Sequence, residues 1–336
     1  MTLAFIAGLS GPALTPDEAA FLKASTPAGI ILFSRNCAEA EQIRRLVSEA
    51  RDAAGQGDDF LVLIDQEGGR VARLRPPLGR ALPPADAYAC IYGDNADDAC
   101  DAAFLAARLL ADDLKSLGIN TNCAPVLDVP VPGAHDIIGD RAYGRTPEQV
   151  IRLGRAVAEG HMAGGVLPVI KHIPGHGRAL ADSHLALPVV DAPLADLEAT
   201  DFAPFKALAD MPAAMTAHVV FTAIDADAPA STSRAVTQQV IRGAIGFDGL
   251  LMSDDLNMKA LDGPIGARAT AVLAGGSDLA LHCSGVLAEA EEVARAVPTL
   301  AGDGLRRFRA ALDVLTRAEP YDSGCAEACL ARALGT

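Results

Sequence analysis

The chain reads as an α/β protein, a single-domain (β/α)8 barrel of the TIM type, and three observations point there. Eight short apolar runs recur along its 336 residues, stretches with helical spacing separate them, and several runs lack the polar alternation of a half-exposed strand. Two ordinary domains would also fit this length, but no Ser-, Gly- or Pro-rich linker divides the chain and no stretch repeats. An open doubly wound sheet would carry a Gly-rich phosphate turn after its first strand, and Gly8-Leu9-Ser10-Gly11 is a poor match to one.

Taken in order, the apolar runs are Leu3 to Leu9, Gly29 to Phe33, Phe60 to Ile64, Ile119 to Leu127, Val166 to Ile170, Ala213 to Val220, Gly249 to Ser253 and Asp278 to Leu281. Each is short enough for a strand and is bounded by Gly, Pro or polar residues. Helical spacing marks Ala38 to Ala54, Ala96 to Leu117, Pro147 to Met162, Leu194 to Ala209, Arg234 to Ile245, Ile265 to Ala274 and Ala288 to Val297. Thr15-Pro16-Asp17-Glu18 and Thr146-Pro147-Glu148 each set a capping hydroxyl before a proline in the first turn. Gly118, Gly164-Gly165 and Gly275-Gly276 follow helices, where a left-handed residue turns the chain into the next strand. Residues 1–318 are expected to form the barrel, leaving 319–336 as a tail with no assigned role.

Composition removes several functions. Asp and Glu number 43 against 28 Lys and Arg, a formal charge of −15 that repels a phosphate backbone or an anionic membrane from most of the surface. The seven cysteines, Cys37, Cys90, Cys100, Cys123, Cys283, Cys325 and Cys329, are odd in number and contain no Cys-x-x-Cys pair, which argues against a disulfide scaffold or a zinc knuckle. Cys325 and Cys329, one helical turn apart, read as small helical residues. The first residues, Met1 to Leu9, carry no basic group before an apolar run that stops at Ser10-Gly11-Pro12, so a signal peptide or a membrane span is not expected and a cytoplasmic location is.

Barrel enzymes build their sites at the C-terminal ends of the strands. There the third run ends Ile64-Asp65-Gln66-Glu67-Gly68-Gly69-Arg70-Val71-Ala72-Arg73, the fourth Ala124-Pro125-Val126-Leu127-Asp128, and the fifth continues as Lys171-His172-Ile173-Pro174-Gly175-His176-Gly177. The sixth ends Thr216-Ala217-His218 and the seventh Met252-Ser253-Asp254-Asp255. One such Asp is usually a helix cap; five ionisable strand ends on one rim describe a site. In the Gly- and Pro-punctuated loop Lys171 to Pro188, Asp182-Ser183-His184 can pair a carboxylate with one imidazole nitrogen and leave the other to move a proton. Strand alternation allows only one of Asp254 and Asp255 to face inward. An inward carboxylate near a proton donor, with no Ser or Cys nucleophile evident, suits displacement at an acetal carbon.

These segments, in this order, resemble the β-N-acetylglucosaminidases of glycoside hydrolase family 3, specifically the short single-barrel bacterial enzymes of cell-wall recycling. The likeness runs from Ile30-Ile31-Leu32-Phe33-Ser34-Arg35-Asn36 to about Leu281, with anchors at Ile64 to Val71, Ala124 to Asp128, Lys171 to Gly177, Asp182 to His184 and Ser253 to Met258. The resemblance implies that Asp254 is the nucleophile of a covalent glycosyl-enzyme, that His184 is the acid/base and that Asp182 orients it. It also implies that Asp65, Arg73, Arg141, Lys171 and His172 contact the terminal sugar, with Gln66, Asp128 and His176 supporting them from behind. No cofactor and no metal are expected; the substrate is a small glycan, N-acetylglucosaminyl muropeptide, and the protein is expected to act as a monomer. The chain departs from the family pattern at Gly177-Arg178-Ala179-Leu180-Ala181, where relatives carry Asp-Thr after the glycine, and at Asp140, where Glu is common.

Two other readings stand beside this one. A metal-dependent barrel hydrolase would gather Lys171, His172, His218, His282 and Asp254 around zinc, although the His-x-His such enzymes place after the first strand is missing. A non-catalytic amino-sugar-binding protein would use the same pocket without turnover.

Overall fold

All eight apolar runs become parallel barrel strands. The computed structural model describes residues 1–179 and 187–335. Its strands are β1 (Leu3–Gly8), β2 (Pro27–Leu32), β3 (Leu61–Ile64), β4 (Thr121–Asn122), β5 in two segments (Leu167–Pro168 and Ile170–Ile173), β6 (Ala213–Thr216), β7 (Leu250–Asp255) and β8 (Leu279–His282). Going round, β4 pairs with β3 and the first segment of β5, while the second segment pairs with β6; β1 and β8 close the other side. With only Val169 between its segments, β5 completes the ring.

The strands carry no polar alternation because both faces are covered: β2, β3, β6 and β8 are buried along their whole length. Helices Pro16–Ser25, Ala40–Ala54, Ala96–Ser116, Pro147–Ala163 and Ile265–Gly275 pack outside them. Thr15 caps the first as expected, its hydroxyl accepting from the Glu18 N–H while the Glu18 carboxylate accepts from the Thr15 and Ser10 N–H groups.

Several boundaries differ from the sequence reading for local reasons. The run Ile119 to Leu127 pairs regularly only at Thr121–Asn122, because Pro125 has no N–H to give the ladder; pairing resumes as a bridge from Val126 to Lys171. The expected helix Leu194 to Ala209 is two, Leu194–Ala199 and Ala203–Ala207, since Pro204 fits a first turn but not a helix interior. Helices Ala85–Asp94, Gly302–Leu312 and Ser323–Leu334 are additional. The last belongs to the tail and packs on Ala96–Ser116, where Arg108 lies 3.8 Å over the Tyr321 ring and Tyr321 donates to Asp112. Among the described residues no helix is long and apolar enough to cross a membrane.

Candidate active site

A cavity of about 230 Å³ opens at the C-terminal ends of the strands. Its wall contains Asp65, Arg73, Arg141, Lys171, His172, His176 and Asp254, seven of the residues singled out from sequence, brought there from β3, the loop after β4, β5 and β7. Gln66 and Asp128 lie behind it, buried. Asp182 and His184 lie outside the described residues.

The polar side of the cavity is a chain of alternating charges. Asp65 accepts from the Arg73 guanidinium at 3.0 Å and from the Lys171 ammonium at 2.9 Å. Lys171 also meets Glu67 Oε1 at 2.7 Å, and Glu67 accepts a fork of two bonds from Arg141, each 2.8 Å. Burial opposes both carboxylates' charge, yet Lys171 with Arg73 holds Asp65 far below the usual carboxylate range, and Lys171 with Arg141 holds Glu67 down at about 2. Burial likewise works against the Lys171 ammonium, but Asp65 and Glu67 raise its pKa above that of a free lysine. Asp65, Glu67, Lys171 and Arg141 are therefore charged at neutral pH.

These groups stand on a braced hairpin. Gln66–Gly68 pairs antiparallel with Val71–Ala72, and the Gln66 side chain closes the loop by accepting from the Arg73 and Leu74 N–H groups and donating to the Leu74 carbonyl. Asn122 of β4 fixes the start of the hairpin, accepting from Gln66 N and donating to Gln66 O. Behind Asn122 is His161, whose other nitrogen faces the Val157 carbonyl; burial pushes its pKa down to about 4, so it stays neutral. Gly68 turns the hairpin at φ +107°, and a Cβ there would lie 2.4 Å from the Pro83 carbonyl oxygen.

Asp128 organises the histidine side. Fully buried, it accepts from His172 Nδ1 at 2.7 Å, His172 N at 3.2 Å and His176 N at 2.7 Å. Burial opposes its charge, but His172 and these bonds hold its carboxyl below the usual range. Burial, assisted by His172, pushes His176 down to about 4.

At β7 the expected alternation fails. Three steps on β7, from Met252 to Asp255, match two on β8, from Leu279 to Leu281, and this bulge puts both Asp254 and Asp255 on the cavity wall. Asp254 accepts from the Asp255 N–H at 2.8 Å. Burial opposes its charge, but His172, His218, that N–H and Lys171 leave its carboxyl below the ordinary value. Asp255 goes the other way, to about 6: burial and the Asp254 charge outweigh the bond it accepts from Asn257 N. Asp254 is thus kept ionised beside Asp255, whose neutral form burial favours.

Three further groups were legible only in part. Glu67 and Asp255 lie in the same strand-end segments as Asp65 and Asp254, and both line the cavity. Phe33, whose ring lies 4.8 Å from the Arg35 guanidinium and 5.2 Å from that of Arg73, supplies with Ile31, Met215 and Leu281 the apolar side of the cavity. The two departures from the family pattern have partners: Arg178 pairs with buried Asp201 at 2.6 Å, anchoring the entry to the loop after β5, and Asp140 accepts from Arg70 at 2.7 Å. The zinc set does not assemble. His218 faces Ser231 and the Asp255 carbonyl, His282 faces Ser284 and Glu289, and among the described residues no group of three His, Cys, Asp or Glu is placed to hold a metal ion.

A (β/α)8 barrel that holds an ionised aspartate against a small cavity of fixed charges is built as a glycoside hydrolase is built. The glycosyl hydrolase family 3 N terminal domain matches residues 6–307, and the chain belongs to that family. Among its relatives are the β-hexosaminidase of Methylococcus capsulatus, 42% identical over 82% of this chain and 81% of that one, and that of Thiobacillus denitrificans, 38% identical over 82% and 77%. NagZ from Neisseria gonorrhoeae, solved with N-trifluoroacetyl-D-glucosamine, superposes with a TM-score of 0.87 over 99% of this chain and 98% of its own, at 32% identity.

Proposed function

We propose that the protein is a retaining exo-β-N-acetylglucosaminidase that removes terminal β-linked N-acetylglucosamine, with anhydromuramyl-peptide fragments of peptidoglycan recycling as its substrate. The observation that carries this reading is the cavity itself: ionised Asp254 on one side, the Asp65, Lys171, Arg73 and Arg141 set on the other, in a volume below the ~300–1,000 Å³ of sites for drug-sized ligands. Such a pocket takes a single ring at a chain end. The amino-sugar is supported by the β-hexosaminidase relatives and by the N-acyl glucosamine bound to the Neisseria protein.

The residues divide the work as follows. Asp65, Lys171 and Arg73 present two acceptor and several donor positions to the sugar hydroxyls, and charge-assisted bonds of this kind replace the stacking platform that a chain without Trp lacks. With the ring held, Asp254 attacks the anomeric carbon. His184, oriented by Asp182, protonates the departing glycosidic oxygen; its neutral imidazole then takes a proton from water as the water displaces Asp254, giving retention. The protein acts in this reading as a cytoplasmic monomer without a metal.

The test is release of chromophore from an aryl β-N-acetylglucosaminide, before and after exhaustive chelation. Turnover unaffected by chelation is expected. Binding of N-acetylglucosamine without chromophore release would replace this reading by the binding-protein one, and activity lost on chelation and restored by zinc would replace it by the metal hydrolase.

A further inference from the structure

The charge chain has one member, Glu67, to which the reading above gives no contact with the sugar. Its five groups run Arg73, Asp65, Lys171, Glu67, Arg141, and their exposure is graded: the Asp65 side chain is 16% accessible, that of Glu67 8% and that of Lys171 3%. Asp65 reaches the cavity wall from the end of β3 and Glu67 from the hairpin, and both oxygens of Glu67 are committed to cations, Oε1 to Lys171 and the pair to Arg141. Asp65 joins Lys171 to a cation of its own hairpin, Arg73, whereas Glu67 joins two cations that both lie outside the hairpin. The two partners of Glu67 come from different elements, Lys171 from β5 and Arg141 from the short 3₁₀ turn Gly139–Arg141 after β4, and the Glu67 carboxylate bonds both.

We propose that Glu67 is a positioning residue of the sugar site, holding the Lys171 ammonium and the Arg141 guanidinium at the spacing a bound amino-sugar requires; this rests on the reading above, in which those cations contact the sugar. Two like charges brought into one poorly solvated wall repel, and the repulsion between Lys171 and Arg141 is among the influences that act on the lysine. The Glu67 carboxylate between them converts that repulsion into two attractions. The fork geometry does more than neutralise: two parallel bonds fix the plane of the Arg141 guanidinium, which a single bond leaves free to turn. The hairpin makes the anchor rigid, since Gln66 on one side is pinned by Asn122 and Gly68 on the other is wedged against Pro83. In Glu67→Gln an amide of the same shape has lost the charge and turns an NH2 group toward at least one cation, so Arg141 and its turn should swing away from Lys171.

Because Glu67 acts through groups that bind the sugar in the ground state as well as in the transition state, its loss should appear in KM rather than in kcat. E67Q is expected to weaken binding of N-acetylglucosamine, measured by calorimetry, about tenfold or more, and to raise KM for an aryl β-N-acetylglucosaminide in parallel while kcat changes by less than about threefold. Glu67→Asp, which keeps the charge one methylene short of its partners, should fall between wild type and E67Q. Binding and KM of E67Q within about twofold of wild type would overturn the proposal, as would a fall in kcat at unchanged KM, or an E67D no better than E67Q. Should E67Q fail to fold, E67D decides alone: weaker binding at an unchanged melting temperature supports the proposal and wild-type binding overturns it. If the wild-type protein itself neither binds N-acetylglucosamine nor turns the aryl glycoside over, it is the functional reading that fails, not the role of Glu67.

Discussion

Replacing Asp128 by Asn exchanges a buried carboxylate for an amide of nearly the same shape, where a side chain past the end of the fourth strand reinforces the backbone bonds between Pro125, Leu127 and Lys171. Three donors converge on the carboxylate: His172 Nδ1, His172 N and His176 N. A hydrogen bond to a charged group contributes about 1.5–3 kcal/mol and a neutral one about half that. The amide oxygen can keep the two backbone N–H bonds as neutral ones, but the ring bond at 2.7 Å now faces an NH2 group unless His172 changes its proton. The net loss is about 2–4 kcal/mol, which for a chain of this length lowers Tm by about 3–6 °C. The pH dependence has a definite sign. The Asp128 carboxyl is held below its ordinary value of 3.8, so the stability it supplies is present above pH 3.8 and is lost as the pH falls through the lower value of the folded state. The gap between wild type and D128N should therefore be equal at pH 7 and pH 5 and shrink only below pH 3.8. Thermal denaturation followed by circular dichroism makes the comparison. A D128N protein that melts at or above wild type at pH 7 would refute the reasoning.

Asp255→Asn should act in the opposite sense. Asp255 is raised from 3.8 to about 6, so the neutral carboxyl is the form the fold favours and stability is lost as the pH rises through those values; D255N should out-melt wild type at pH 8, by more than at pH 5, and equal melting at both would count against the placement of Asp255. Gly68→Ala forces an L side chain to φ +107° with its Cβ 2.4 Å from the Pro83 carbonyl, and should cost at least about 2 kcal/mol in thermal stability while weakening N-acetylglucosamine binding through displaced Asp65 and Glu67. Unchanged melting would mean the hairpin relaxes freely. Truncation after Ala318 removes the helix Ser323–Leu334 and the Tyr321 contact, uncovering part of the buried alanine-rich face of Ala96–Ser116; a lower Tm is expected, with KM for the aryl glycoside unchanged because no residue of that helix reaches the cavity.

The strands were legible because a buried parallel strand is a short apolar run, and each of the eight is bounded by turn residues. The helix Ala85–Asp94 was not, since Ala, Asp, Tyr and Gly there give no clear amphipathic stripe, and its start at Pro84 lacks a capping side chain. Gly302–Leu312 has a strong apolar face but begins without a capping side chain. In the site, residues that project straight from strand ends were readable as motifs. What was not readable was anything that depended on register: Asp255 enters the cavity only because of the β7 bulge, and periodicity assumes none. Glu67 was on the page as part of Asp65-Gln66-Glu67, yet only the placement of Arg141, far along the chain, shows what its carboxylate holds.

The central claim is that Asp254 is the nucleophile of an N-acetylglucosaminidase, and the rate of chromophore release by Asp254→Ala, without and with added azide, tests it most directly. Removing a nucleophile should lower the rate by at least about 10³-fold. Azide, small enough to enter the space left by the carboxylate, should restore part of that rate and leave an α-glycosyl azide as product. A D254A protein that keeps more than about a tenth of the wild-type rate would contradict the claim.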